Sequence, residues 1–150
     1  MQIVTVVNEE KMALHIQPDE MLATTLRTLG FHSVRCGCDT TNCGLCTVWL
    51  DDLPVLSCAV PTFRIAGHKV TTLEGVQEEA VLFANYLAAE GADQCGFCSP
   101  GFIMSVLSLK RQSVPVTEDE IRVALTGNLC RCTGYMGQMR AVKRYLEVQP

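Results

Sequence analysis

Only three histidines occur in the 150 residues, His15, His32 and His68, and they are scattered. None falls into a Ser/His/Asp or paired-carboxylate pattern, so each is most simply a surface or strand residue and no nucleophilic or acid–base constellation is expected. Gly-x-Gly-x-x-Gly and P-loop patterns are missing too, which removes the usual nucleotide cradles. No apolar stretch approaches the roughly 18 residues that a membrane-crossing helix requires. Positive charge is outnumbered, with 12 Lys and Arg against 16 Asp and Glu and a net charge of −4. With a pI near 5.3, nucleic acid is not an expected partner. Residues Met1 to Asn8 alternate as a strand and lack a basic segment and a cleavage site. A secretory leader is therefore not expected, and a reducing, cytoplasmic setting is.

What is abundant is cysteine, at nine residues. An odd number and a reducing setting speak against a disulfide framework. Cys38, Cys43, Cys46 and Cys58 stand at C-x4-C-x2-C-x11-C, the ligand rhythm of a plant-type [2Fe-2S] centre. Three thiolates on one loop converge only if the loop wraps a compact object. Gly37 and Gly44 supply the backbone freedom. Cys95 and Cys98, then Cys130 and Cys132, give a C-x2-C and a distant C-x-C pair. Zinc stays open for this second set, because tetrahedral sulfur suits both metals. The first set is poor zinc-finger spacing, and two clusters in one small chain make electron transfer the natural use. Cys36 is left over.

The cysteine sets divide the chain near Thr72 to Gly75, so a ferredoxin-like domain over residues 1–75 and a helical domain over 76–150 are expected. Each is marginal for a core of its own, and a metal centre would staple it. Alternation over Gln2 to Val7 and Lys11 to Ile16, around Asn8-Glu9-Glu10, predicts a β-hairpin. Leu22, Leu26 and Leu29 predict a short helix capped by Asp19 and stopped by Gly30. Thr47 to Leu50 and Leu53 to Leu56 predict a second hairpin, and His68 to Thr72 a last strand. Together these describe a β-grasp.

Four helices follow. Val81 to Ala89 is apolar enough for a buried helix, Ser99 and Pro100 open the next one to about Arg111, and Thr117 to Glu120 form a capping box for a helix stopping at Gly127. Thr133 is expected to cap a last helix with Tyr135, Met139, Val142 and Leu146 on one face. The fold class is α+β: a β-grasp followed by an all-α four-helix bundle.

Gly37-Cys38, Cys43-Gly44-Leu45-Cys46-Thr47-Val48, Thr72-Leu73-Glu74-Gly75, Gln94-Cys95-Gly96-Phe97-Cys98-Ser99-Pro100-Gly101 and Gly127-Asn128-Leu129-Cys130-Arg131-Cys132-Thr133-Gly134-Tyr135 closely resemble, in order, the small iron–sulfur subunit of molybdenum hydroxylases. That family includes xanthine dehydrogenase, aldehyde oxidoreductase, nicotinate dehydrogenase and carbon monoxide dehydrogenase. The resemblance implies two [2Fe-2S] clusters in the chain, a large partner subunit with molybdopterin and usually a medium subunit with FAD. It implies electron flow from molybdenum to the C-terminal cluster, the N-terminal cluster and then flavin. It also implies a pterin contact at Gln94. The chain departs from the family's usual acidic and small loop residues at Asp39-Thr40-Thr41-Asn42 and in having Cys36 just upstream.

Two other classes compete. A diffusing ferredoxin would have a polar, strongly acidic surface, whereas this chain is 48% hydrophobic with a mean hydropathy of +0.20. Such an apolar balance favours a subunit buried against others. A zinc-bound scaffold would lack the visible absorption of iron–sulfur centres.

Overall fold

The computed structural model describes residues 1–112 and 117–147. Strands β1 (Gln2–Val7) and β2 (Glu10–His15) pair antiparallel through Asn8 and Glu9, both at positive φ. This two-residue connection matches the strands' twist, and it draws Glu10, expected in the turn, into the ladder. Strands β3 (Thr47–Leu50) and β4 (Leu53–Leu56) form the second hairpin, turned by Asp51 and Asp52 at φ 48° and 65°. Strand β5 (Lys69–Thr71) lies between the hairpins, parallel to β1 and antiparallel to β3, giving the order β2-β1-β5-β3-β4.

Helix α1 (Leu22–Thr28) buries Leu22 and Leu26 in a core shared with Ile3, Val7, Val48 and Val70. Gly30 follows it at φ 96°, as a helix stop should. Asp19 is not the cap. The cap position is Met21, without a side-chain bond, and Glu20 instead ties the turn by accepting from the Gln17 N–H at 3.1 Å and the Thr25 hydroxyl at 2.6 Å.

The second core gathers α2 (Gln77–Ala89), α3 (Ser99–Arg111), α4 (Glu118–Leu125) and α5 (Met136–Tyr145). Phe83 of α2 meets Tyr145 of α5 at 4.9 Å and Phe102 of α3 at 6.1 Å between ring centroids. Helix α2 starts earlier than its apolar run and buries one face only, Ala80, Phe83 and Leu87, while Val81 and Leu82 are exposed. Ser99 is the first residue of α3 and not its cap; its hydroxyl donates to Asp93 at 3.3 Å. The Thr117/Glu120 capping box of α4 is present. At α5 the cap position is Tyr135 in the left-handed region, not Thr133. The buried face of α5 is Gln138, Ala141, Val142 and Tyr145, with Tyr135 exposed.

Trp49 of β3 crosses from the sheet to the helical core. Fully buried there, it donates its indole N–H to the Met104 carbonyl at 3.0 Å. Arg111 lies over its ring, 4.3 Å from the centroid.

Candidate iron–sulfur sites

Cys38, Cys43 and Cys46 sit on the loop that leads into β3, and Cys58 sits just beyond β4, so the second hairpin returns the chain to its own cysteines. All four line one small cavity with Ala23, Arg27, Arg35, Cys36 and Gly37. The sulfurs associate as pairs, Cys38 with Cys43 and Cys46 with Cys58. The Asn42 and Thr40 amides donate to the Cys38 sulfur and pull its thiol down to about 6. Burial, then the neighbouring Cys46, pushes Cys58 up to about 12. The loop's own N–H groups thus already favour a thiolate at Cys38, the species a metal takes. Cys36 is exposed and turns its sulfur to the Cys38 carbonyl at 3.7 Å, outside both pairs.

The second set lies at the start of α3 and in the loop between α4 and α5. Cys132 Sγ approaches Cys95 Sγ at 3.5 Å, and Cys98 pairs with Cys130. Burial, then Cys130, pushes Cys98 up to about 11. Burial also acts upward on Cys130, but donors led by the Thr133 hydroxyl outweigh it and its thiol is lowered. Thr133, expected as a helix cap, therefore serves the sulfur, with its Oγ1 3.2 Å from Cys130 Sγ.

None of the nine cysteines is in a disulfide. Two pairs per site fit a two-iron centre, in which each iron takes two thiolates and bridging sulfides supply the rest. The donor set therefore suits two [2Fe-2S] clusters.

The two sets meet backbone to backbone. The Leu129 N–H, next to Cys130, donates to the Cys43 carbonyl at 2.9 Å. The buried Asn128 amide reaches the Gly44 carbonyl at 3.4 Å and the Gly101 carbonyl at 3.3 Å. Arg35 donates to the Gly96 carbonyl at 2.5 Å and stands 5.2 Å from the Phe97 ring centroid, joining the first loop to the second. Arg35 and Gln138 were not singled out by spacing, because their partners are far away in sequence. Asn128 lay within a quoted motif but carried no assigned role. Gln94 is exposed, beside the exposed Cys95.

Residues 72–143 match the family model of a [2Fe-2S] binding domain. The chain is 39% identical over 142 residues to the nicotinate dehydrogenase small FeS subunit of Eubacterium barkeri, covering 92% of this chain and 89% of that protein. It is 41% identical over 133 residues to the xanthine dehydrogenase iron-sulfur-binding subunit of Escherichia coli O157:H7, covering 86% and 84% respectively. Its fold matches quinoline 2-oxidoreductase from Pseudomonas putida 86 at a TM-score of 0.88 and 30% identity, over 97% of this chain and 92% of that one. Aldehyde oxidoreductase from Desulfovibrio gigas matches at the same TM-score and 34% identity, over 97% of this chain but 17% of that larger one. With whole-length relatives, a shared fold and two paired-cysteine sites, the chain belongs to the small [2Fe-2S] subunits of the molybdenum hydroxylases, the electron-transfer components of those oxidoreductases.

Proposed function

We propose that the chain relays electrons singly from a molybdopterin-bearing large subunit, first through the centre held by Cys95, Cys98, Cys130 and Cys132. They pass next to the centre held by Cys38, Cys43, Cys46 and Cys58, then to FAD in a medium subunit or to another acceptor. In this reading residues 1–75 form a ferredoxin-like domain and residues 76–150 a helical [2Fe-2S]-binding domain, working in the cytoplasm. When bound, each cluster supplies one-electron uptake and release.

The observation that carries the reading is the 2.9 Å hydrogen bond from Leu129 N–H to the Cys43 carbonyl. It links a neighbour of one ligand, Cys130, directly to a ligand of the other set. Gly44 and Asn128 hold that bridge in place, and Arg35 ties the two loops a second time. Gln94 supports the order of the relay. Its exposed amide has donors and an acceptor for a polar pterin edge, and it adjoins Cys95, so the second set would face the molybdenum. Exposed Phe97, Leu129, Tyr135 and Met136 surround the same loops and suit burial against a large partner. Substrates would be nitrogen heterocycles or aldehydes, the compounds for which the relatives are named.

The test is single turnover of the assembled complex, with a substrate found by screening those two classes for cluster bleaching. In a Cys43→Ser complex, substrate should still reduce the C-terminal cluster while steady turnover collapses. In Cys130→Ser, the N-terminal cluster should be silent to substrate. The reverse pattern would overturn the order.

A further inference from the structure

The second site holds a buried amide that ligation does not require. Gln138, in the first turn of α5, is 3% exposed, and among the described residues no buried side-chain nitrogen or oxygen lacks a partner. Its Oε1 accepts from Thr133 Oγ1 at 3.1 Å, and its Nε2 reaches Cys98 Sγ at 3.8 Å. Thr133 Oγ1 is itself held by the Tyr135 N–H at 3.2 Å and lies 3.2 Å from Cys130 Sγ. A flipped amide would aim its oxygen at a sulfur that is a thiolate whenever it binds iron. Electrostatics therefore selects the orientation with N–H on sulfur. Both polar groups address the Cys98/Cys130 pair, while Cys95 and Cys132 are exposed residues.

We propose that Gln138 raises the reduction potential of the C-terminal cluster by donating a hydrogen bond to the Cys98 thiolate, with Thr133 orienting the amide. This rests on the ligand assignment under Proposed function. The step concerned is uptake of one electron from the molybdenum side, with no bond made or broken and no proton taken up. The reduced site carries one more negative charge, part of it on sulfur, so an N–H donor stabilises it more than the oxidised one. Gln138 is a positioning residue of the relay: it makes the first acceptor easier to reduce by substrate.

The experiment is an EPR-monitored redox titration of the assembled complex carrying Gln138→Met, which keeps the volume and removes the donor. The C-terminal cluster should become about tenfold harder to reduce, a fall of about 59 mV for one electron, while the N-terminal midpoint stays put. Thr133→Val should lower the same midpoint as well, because its hydroxyl stands between the amide oxygen and Cys130 Sγ. A second measurement needs no change at Gln138. With 15N in the glutamine side chains of a Gln94→Ala complex, which lacks the other glutamine beside these cysteines, pulsed EPR should detect nitrogen coupled to the C-terminal cluster. An unchanged C-terminal midpoint in Gln138→Met, or no such coupling, would overturn the inference. Failure of the underlying assignment looks different, because the unaltered complex would then show no second cluster signal to titrate.

Discussion

At Gly101 a methyl group would lie 2.2 Å from the Gly44 carbonyl oxygen, and at Gly44, φ +74°, it would lie 2.2 Å from the Gly127 carbonyl. These glycines are what allow the two cysteine-bearing segments to touch along their backbones. Gly101→Ala should therefore cost about 1–3 kcal/mol, as overpacking does, and should lengthen the Leu129–Cys43 bridge, slowing transfer between clusters. Gly127→Ala is the control, because a Cβ there meets nothing within 4 Å. Thermal unfolding and the rate of N-terminal cluster reduction should both separate the two variants. At this scale the spacing of the cysteines is legible, and the structure gathers Cys38, Cys43, Cys46 and Cys58 around one cavity. Arg35, Asn128 and Gln138 were legible only in part or not at all, because each acts on an atom 27 to 84 residues away.

Glu74 shows how an element is fastened to a site. Its carboxylate accepts from the Ser33 hydroxyl at 2.6 Å, the Ser33 N–H at 3.0 Å and the Thr72 hydroxyl at 2.6 Å, clamping the entry of the first cysteine loop to the end of β5. Burial acts to raise its pKa, but these donors, the Ser33 hydroxyl foremost, outweigh it and the pKa is lowered. A carboxylate whose folded pKa lies below its unfolded value, about 4.3, stabilises the fold above that value and loses the contribution as pH falls through the folded one. Glu74→Gln should therefore lower the urea midpoint at pH 7, with the gap to the unaltered chain closing below about pH 4.3. A gap that widened in acid would contradict this. Among helix starts, the capping box of α4 was legible because Thr117 and Glu120 are three residues apart. The start of α3 was legible from Ser99 and Pro100 as well, but those of α1 and α5 were not, because there the chain leaves a turn or cysteine loop whose geometry is set by distant contacts. Tyr135, at φ 67° just after Cys132, is the clearest case.

For the whole molecule, alternation and helical periodicity marked two halves of different class, and the structure has a five-stranded mixed sheet with one helix, then four helices. Less legible was how closely they join. Trp49 fits a strand pattern, yet its side chain belongs to the helical core, because a buried indole needs both apolar neighbours and an acceptor for its N–H, and Met104 supplies the latter. Such packing joins the sheet to the helical core through one buried side chain. The central claim is that the four cysteine pairs hold two separate [2Fe-2S] centres, and EPR spin quantitation of the fully reduced chain tests it most directly. The account predicts two distinguishable signals integrating to about two spins per chain, since each plant-type centre takes up one electron. A single signal of one spin, with zinc in place of the second centre, would contradict it.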